Sequence, residues 1–290
     1  MPRKRSIHPV LVLHGGASTK LIRGSRLNDV KISLRNILDH VYPRLTAGMR
    51  ALDAVALAAS LLEDDPLYNA GKGSKIQSDG KIRMSAAIMD GERRRFAGCV
   101  NVEGVKNPIH LAKALMKTKD RVLSGEGARR YAKELGLPFA SPYTEKSRKE
   151  YESRAQGKTG TIGAIAVDSK GRLAAATSTG GRGFEYPHRV SDSPTTAGNF
   201  ANEVCAVSAT GTGEQIVEFS AASTICAYVE TGTSLDKAVD TLLGKAREFK
   251  GDFGVIAVDA QGRFKVATNT KTIIWAAATP SGFVFLDEYN

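Results

Sequence analysis

Thr161 is the residue in this chain whose chemistry depends most on where it stands. It follows Gly160, opens an apolar segment, and is preceded over residues 138–158 by polar and charged residues. If the Gly160–Thr161 bond were broken, Thr161 would hold a hydroxyl nucleophile and an α-amine with an unperturbed pKa of about 7.7–8.0 that can take its proton. Nucleophile and base would then be one residue. Gly160 adds conformational freedom and close backbone approach at that bond. Taken alone, Gly-Thr-Ile-Gly also describes an ordinary strand start.

What must position such a residue shows in an internal echo. Residues 163–179 and 254–270 agree at 10 of 17 positions without gaps. Each copy is an apolar run, an Asp-x-x-Gly turn at Asp168 or Asp259, and a second run, which predicts two β-hairpins. Gly160-Thr161-Ile162 precedes the first copy and Gly251-Asp252-Phe253 the second, so only the first begins on a hydroxyl. Elsewhere the pattern predicts a strand over 10–13, helices over 34–49 and 51–62 with Pro43 kinking or interrupting the first, and a loop over 64–73. Period-two features follow over 75–100, then helices over 109–116 and 127–135. The polar stretch from about 138 to 160 reads as a linker. Helices are expected over 213–228 and 235–249, the latter capped by Thr233 with Asp236 three residues on, and strands over 272–278 and 283–286. Hairpins flanking a helical insertion suggest a layered α+β architecture in one domain spanning 1–290.

The chain has 290 residues, 42% of them hydrophobic, which is enough for a substantial core. No apolar run reaches the roughly 18 residues of a membrane span, and the N-terminus does not read as a signal peptide. Cys99, Cys205 and Cys226 are too scattered for a disulfide framework or a zinc site, so a reducing cytoplasm is expected. The net charge of +11 divides as +14 over residues 1–160 and −3 over 161–290. The basic residues are dispersed, as on solvated helix faces, and no aromatic-rich basic motif supports a nucleic-acid partner.

Several separated motifs, in order, resemble the plant-type L-asparaginases and isoaspartyl peptidases along nearly the whole chain. They are His14-Gly-Gly-Ala, Ala51-Leu-Asp-Ala-Val, the run from Leu61 to Gly73, Ile88-Met-Asp-Gly and Val105-Lys-Asn-Pro-Ile. Further on come Gly160-Thr-Ile-Gly-Ala, Thr177-Ser-Thr-Gly-Gly, Arg189-Val-Ser-Asp-Ser-Pro and Thr210-Gly-Thr-Gly-Glu. The resemblance implies a four-layer αββα sandwich of the N-terminal-nucleophile hydrolase type. It also implies self-cleavage at Gly160–Thr161 into an α fragment, 1–160, and a β fragment, 161–290, associated as (αβ)2.

By that resemblance Thr161 is the nucleophile, Thr179 orients it, and Asn69 and Thr210 donate to the oxyanion. Arg189 clamps the substrate α-carboxylate, which suits a planar guanidinium, while Asp192 and the Gly211 carbonyl bind its α-ammonium. Without the resemblance, Arg189 and Asp192 read as a local surface ion pair, and Glu214 as a helix-start residue. Carbonyls of Leu62, Glu63, Asp65, Tyr68, Ala70 and Lys72 would hold a structural sodium or potassium ion, and no organic cofactor is implied. The expected substrates are asparagine and β-aspartyl dipeptides. Glycosylasparaginases and taspase-like endopeptidases share the cleaved segment. The missing signal peptide disfavours the first, and the Arg189–Asp192 pair, which reads a free amino-acid end, disfavours the second. Trp275 and the cysteines read as core, and His14 with its glycines as a strand end and turn.

Overall fold

The apolar run after Pro9 has no polar alternation, the mark of a strand covered on both faces. In the computed structural model, which describes residues 7–154 and 160–286, it is β1 (Val10–Ser18), buried throughout. There follow α1 (Gly24–Thr46), α2 (Ala51–Asp64), a 3-10 turn (Gly71–Gly73), β2 (Met84–Asp90), β3 (Arg95–Val102) and α3 (Pro108–Leu115). Next come β4 (Val122–Ser124), α4 (Gly125–Glu134), α5 (Glu145–Glu152), β5 (Ile162–Val167), β6 (Leu173–Thr179), β7 (Asn199–Ala201) and β8 (Cys205–Gly211). The chain ends with α6 (Gly213–Glu218), α7 (Ala221–Glu230), α8 (Leu235–Glu248), β9 (Phe253–Asp259), β10 (Phe264–Thr268), β11 (Thr272–Thr279) and β12 (Gly282–Phe285).

The strands form a large sheet of order β12-β11-β1-β5-β6-β2-β3-β4 and a small one of order β10-β9-β8-β7. Neighbours are antiparallel except β3 and β4. Three apolar cores separate four layers. Leu34, Leu38, Ala59 and Ile109 pack helices α1 to α3 onto one face of the large sheet. Val12, Ile165, Ile256 and Val258 fill the space between the sheets, where Trp275 is also buried. Ile225, Val239 and Leu242 close the outer face of the small sheet. This is the αββα sandwich expected.

The echo becomes two hairpins, β5–β6 in the large sheet and β9–β10 in the small one. Each turn is built by its Asp: Asp168 Oδ1 accepts from the N–H groups of Lys170 and Arg172, and Asp259 Oδ1 from those of Gln261 and Arg263. In both, the second oxygen accepts Nε of the arginine at 2.7 Å.

Four expectations need correction. Pro43 does not interrupt α1, because it stands in the last turn before Thr46, where its missing N–H costs one bond. The helix expected over 213–228 is two, α6 and α7, divided at Ser220, whose left-handed φ of 46° turns the chain so that α7 meets the small sheet. Ser234, not Thr233, occupies the cap position of α8. The presumed linker contains α5, closed by a capping box between Thr144 and Ser147 and docked through Lys75 Nζ to Glu150 at 2.9 Å. Residues 155–159 of that stretch lie outside the described residues. Among the described residues no helix is long and apolar enough to cross a membrane. Many basic side chains are paired locally, as in Arg94 with Glu203 and Lys113 with Asp53.

Candidate active site

Thr161 sits immediately before β5, between the sheets, and lines a cavity of about 320 Å3. Its hydroxyl is 3.3 Å from Thr179 Oγ1 at the end of β6, which β5–β6 pairing brings alongside. It is also 3.3 Å from Ser193 Oγ, a residue within the motif Arg189-Val-Ser-Asp-Ser-Pro that the sequence reading passed over. Thr210, at the end of β8, accepts the Ala17 N–H at 3.1 Å and donates to the Thr161 carbonyl at 3.5 Å. One hydroxyl therefore ties both sheets to the nucleophile candidate.

The close approach at the Gly160 peptide is made by Gly16 of β1 rather than by Gly160 itself. A Cβ on Gly160 would meet only Thr210 Oγ1, 3.9 Å away, whereas a Cβ on Gly16 would lie 2.6 Å from the Gly160 carbonyl oxygen. The His14 motif is thus more than a strand end: Gly16, with φ of +111°, makes room for the Gly160 peptide. His14 is fully buried, and burial lowers its pKa to about 3, so its ring is neutral. Its Nε2 is 2.8 Å from Ser208 Oγ, and Ser208 Oγ is 2.7 Å from Thr177 Oγ1. This hydroxyl chain joins β1, β8 and β6 beneath Thr161.

The cavity wall also holds Arg189, Asp192, Gly211 and Glu214. Arg189 and Asp192 are not the surface ion pair their spacing suggests. Arg189 is gripped by Glu214 through Nε and Nη2 at 2.7 and 2.8 Å, and those bonds lower the Glu214 pKa to about 2. Glu214 therefore does more than start α6. Asp192 is buried, its Oδ2 has no partner among the described residues, and burial raises its pKa to about 7 against the pull of its own backbone and of Arg189. Asp192 lines the cavity, and a carboxylate there, once ionised, suits an incoming ammonium group. A Cβ on Gly213 would stand 2.7 Å from Asp192 Oδ1 and 3.1 Å from Arg189 Nη2, so only glycine leaves this corner open. Gly211 has φ of +142°, and a Cβ there would press on Phe253. Thr19, Arg182, Ser191, Asp252 and Thr270, none singled out in the sequence, complete the polar wall.

Asn69 is not on that wall. It lies behind the Gly180–Gly181 turn, where its Nδ2 donates to the Gly181 carbonyl at 2.5 Å and its own carbonyl accepts the Gly180 N–H. The loop carrying it is drawn tightly around backbone carbonyls. A Cβ on Gly71 would lie 2.2 Å from the Glu63 carbonyl oxygen, and one on Gly73 1.8 Å from that of Tyr68. Glu63 is itself buried, with its pKa raised to about 8 by burial, and its Oε1 accepts from Ser178 and from the Ile109 N–H. No cluster of His, Cys, Asp and Glu side chains among the described residues could hold a metal ion, so a cation in this loop would have to be held by backbone carbonyls.

The model of the asparaginase family matches residues 7–159 and 143–284. An isoaspartyl peptidase/L-asparaginase of Nostoc sp. is 42% identical over 89% of this chain and 88% of its own length. The plant-type L-asparaginase of Pyrobaculum calidifontis is 40% identical over 91% and 94%, and the isoaspartyl peptidase/L-asparaginase of Bos taurus 37% identical over 94% of each.

Proposed function

The chain belongs to the asparaginase family, and from that premise we propose that it cleaves itself at Gly160–Thr161 and then hydrolyses L-asparagine and β-aspartyl dipeptides. The observation that carries the reading is the convergence of Thr161, Thr179, Arg189, Asp192 and Gly211 on one cavity. In maturation, Thr161 Oγ1 attacks the Gly160 carbonyl carbon, the C–N bond breaks, and the hydroxyl proton ends on the departing nitrogen. An ester then joins Gly160 to Oγ1, and water cleaves it to a Gly160 carboxylate and a free Thr161. The hydroxyls of Thr179 and Ser193, both 3.3 Å from Oγ1, hold it for attack.

In turnover, Oγ1 attacks the side-chain carbonyl carbon of the substrate while the Thr161 amine takes its proton and passes it to the leaving nitrogen. Ammonia, or the amine of the next amino acid, departs. Water then opens the β-aspartyl ester with the amine as base, releasing aspartate. Thr210 donates to the oxyanion, a contact whose loss typically costs about 10²–10³ in rate. Asn69 serves by fixing the Gly180–Gly181 turn beside Thr179. Arg189, steadied by Glu214, takes the α-carboxylate, and Asp192 with the Gly211 carbonyl takes the α-ammonium.

The carbonyl-lined loop fits an alkali ion held by Leu62, Glu63, Asp65, Tyr68, Ala70 and Lys72, because Gly71 and Gly73 leave its carbonyls uncrowded. Bound there, sodium or potassium would stiffen the segment that carries Asn69. Two copies of each fragment assemble as (αβ)2. Cytoplasmic residence is supported by three free, buried cysteines.

The test is intact mass after incubation, together with aspartate release. The parent should yield 1–160 and 161–290 and turn over asparagine and β-aspartyl-leucine, and Thr161→Ala should stay whole and inert. α-Aspartyl-leucine should be spared, since its α-carboxyl is consumed in the peptide bond and the Arg189 clamp is left unpaired. Full activity in an uncut chain would overturn the reading.

A further inference from the structure

The cavity wall carries the charged side chains Arg182, Arg189, Asp192, Glu214 and Asp252. Arg189 is forked by Glu214, and Asp192 is a buried acceptor whose Oδ2 has no hydrogen-bond partner among the described residues. Arg182 is different. It is exposed, and it has no hydrogen-bond or ion-pair partner among the described residues. Glu214 feels its charge but is committed to Arg189.

The backbone beneath Arg182 is anchored beside the reacting hydroxyl. The Gly181 N–H donates to Thr179 Oγ1 at 3.3 Å, and the Gly181 carbonyl accepts from Asn69. A guanidinium at the next position therefore stands on a fixed base at the cavity wall. A long cation held unpaired in a ligand cavity, with its backbone fixed, suits a ligand anion better than a structural role.

The two substrate types of the amidohydrolase reading, on which this inference rests, differ in what leaves. Asparagine releases ammonia, whereas a β-aspartyl dipeptide releases an amino acid with its own carboxylate. Arg189 and Asp192 account for both charges of the aspartyl unit and leave that second carboxylate without a counter-ion. We propose that Arg182 receives the free carboxylate of the leaving amino acid and so sets a preference for β-aspartyl dipeptides over substrates whose leaving group lacks that charge. The planar fork matches a carboxylate, and because Arg182 is solvent-exposed its effect is about threefold to fivefold rather than the larger values of buried pairs.

The experiment compares β-aspartyl-leucine with β-aspartyl-leucinamide, which differ only in the terminal carboxylate, in the mature parent, Arg182→Gln and Arg182→Lys. The parent should favour the free acid by about threefold to fivefold in kcat/KM, chiefly through KM. Arg182→Gln should bring that ratio to about one, and Arg182→Lys should restore part of it. High salt should narrow the parent's ratio, as it does for exposed charges. Mass of the two fragments and turnover of asparagine establish that each variant has matured. Equal ratios in the parent and Arg182→Gln overturn the assignment of Arg182. A parent that turns over none of the three compounds overturns the amidohydrolase reading instead.

Discussion

Replacing Asp168 and Asp259 by asparagine, one at a time, asks how far twin sequences make twin contributions. Both turns keep their backbone bonds in the asparagine variants, because Oδ1 remains an acceptor. What changes is the second oxygen, which becomes an N–H2 group facing donors. At Asp259 it faces only Arg263, whose side chain is 65% exposed and can turn to water. At Asp168 it faces Arg172, 16% exposed, and also the Ala51 N–H at the start of α2 at 3.1 Å. Breaking a buried pair and stranding its partner costs about 3–5 kcal/mol, against about 0.5–1 kcal/mol for an exposed one. At about 2 °C per kcal/mol for a chain of this size, Asp168→Asn should lower Tm by about 6–10 °C and Asp259→Asn by about 2 °C or less. The melts are run in a Thr161→Ala background, so that the proposed cleavage does not change the species being unfolded. Equal losses would refute the argument that the contact with α2, rather than the turn itself, makes the first copy the stronger one.

Four further outcomes follow from the site. Arg189→Lys keeps the charge but loses the fork that Glu214 and a substrate carboxylate share, so KM should rise and kcat/KM fall while both fragments still form. Asp192 must be ionised to bind an ammonium, and burial raises its pKa to about 7. The parent's kcat/KM should therefore climb with pH on an acid limb set by Asp192 and the Thr161 amine together, and Asp192→Asn should be slower throughout with a shallower limb. The same shift makes the folded chain hold a proton between about pH 4 and pH 7 that the unfolded chain releases, so its contribution to stability falls as pH rises through that window and levels off above it. Chemical denaturation of Thr161→Ala, with and without Asp192→Asn, reads that slope. Gly16→Ala places a methyl 2.6 Å from the Gly160 carbonyl oxygen in a strained φ, so cleavage should be slowed at least tenfold, measured as the appearance of the 161–290 fragment.

Local signals were sufficient for much of this molecule. The apolar runs marked the strands, the Asp-x-x-Gly pairs marked both hairpins, and Gly160-Thr161 stood out because only one copy of the echo begins on a hydroxyl. These features depend on neighbours in the chain, so the chain displays them. Ser193 beside Thr161, the Glu214 grip on Arg189, the burial of Asp192 and the room that Gly16 leaves for Gly160 depend on partners 25 to 144 residues away. The Asn69 amide likewise finds Gly181 from 112 residues away. Such contacts leave no periodic trace, because a serine or glycine reads the same whether it faces solvent or a nucleophile. Packing the two sheets face to face decides which it faces, and with that whether Arg189 and Asp192 stand as a surface pair or together on one cavity wall.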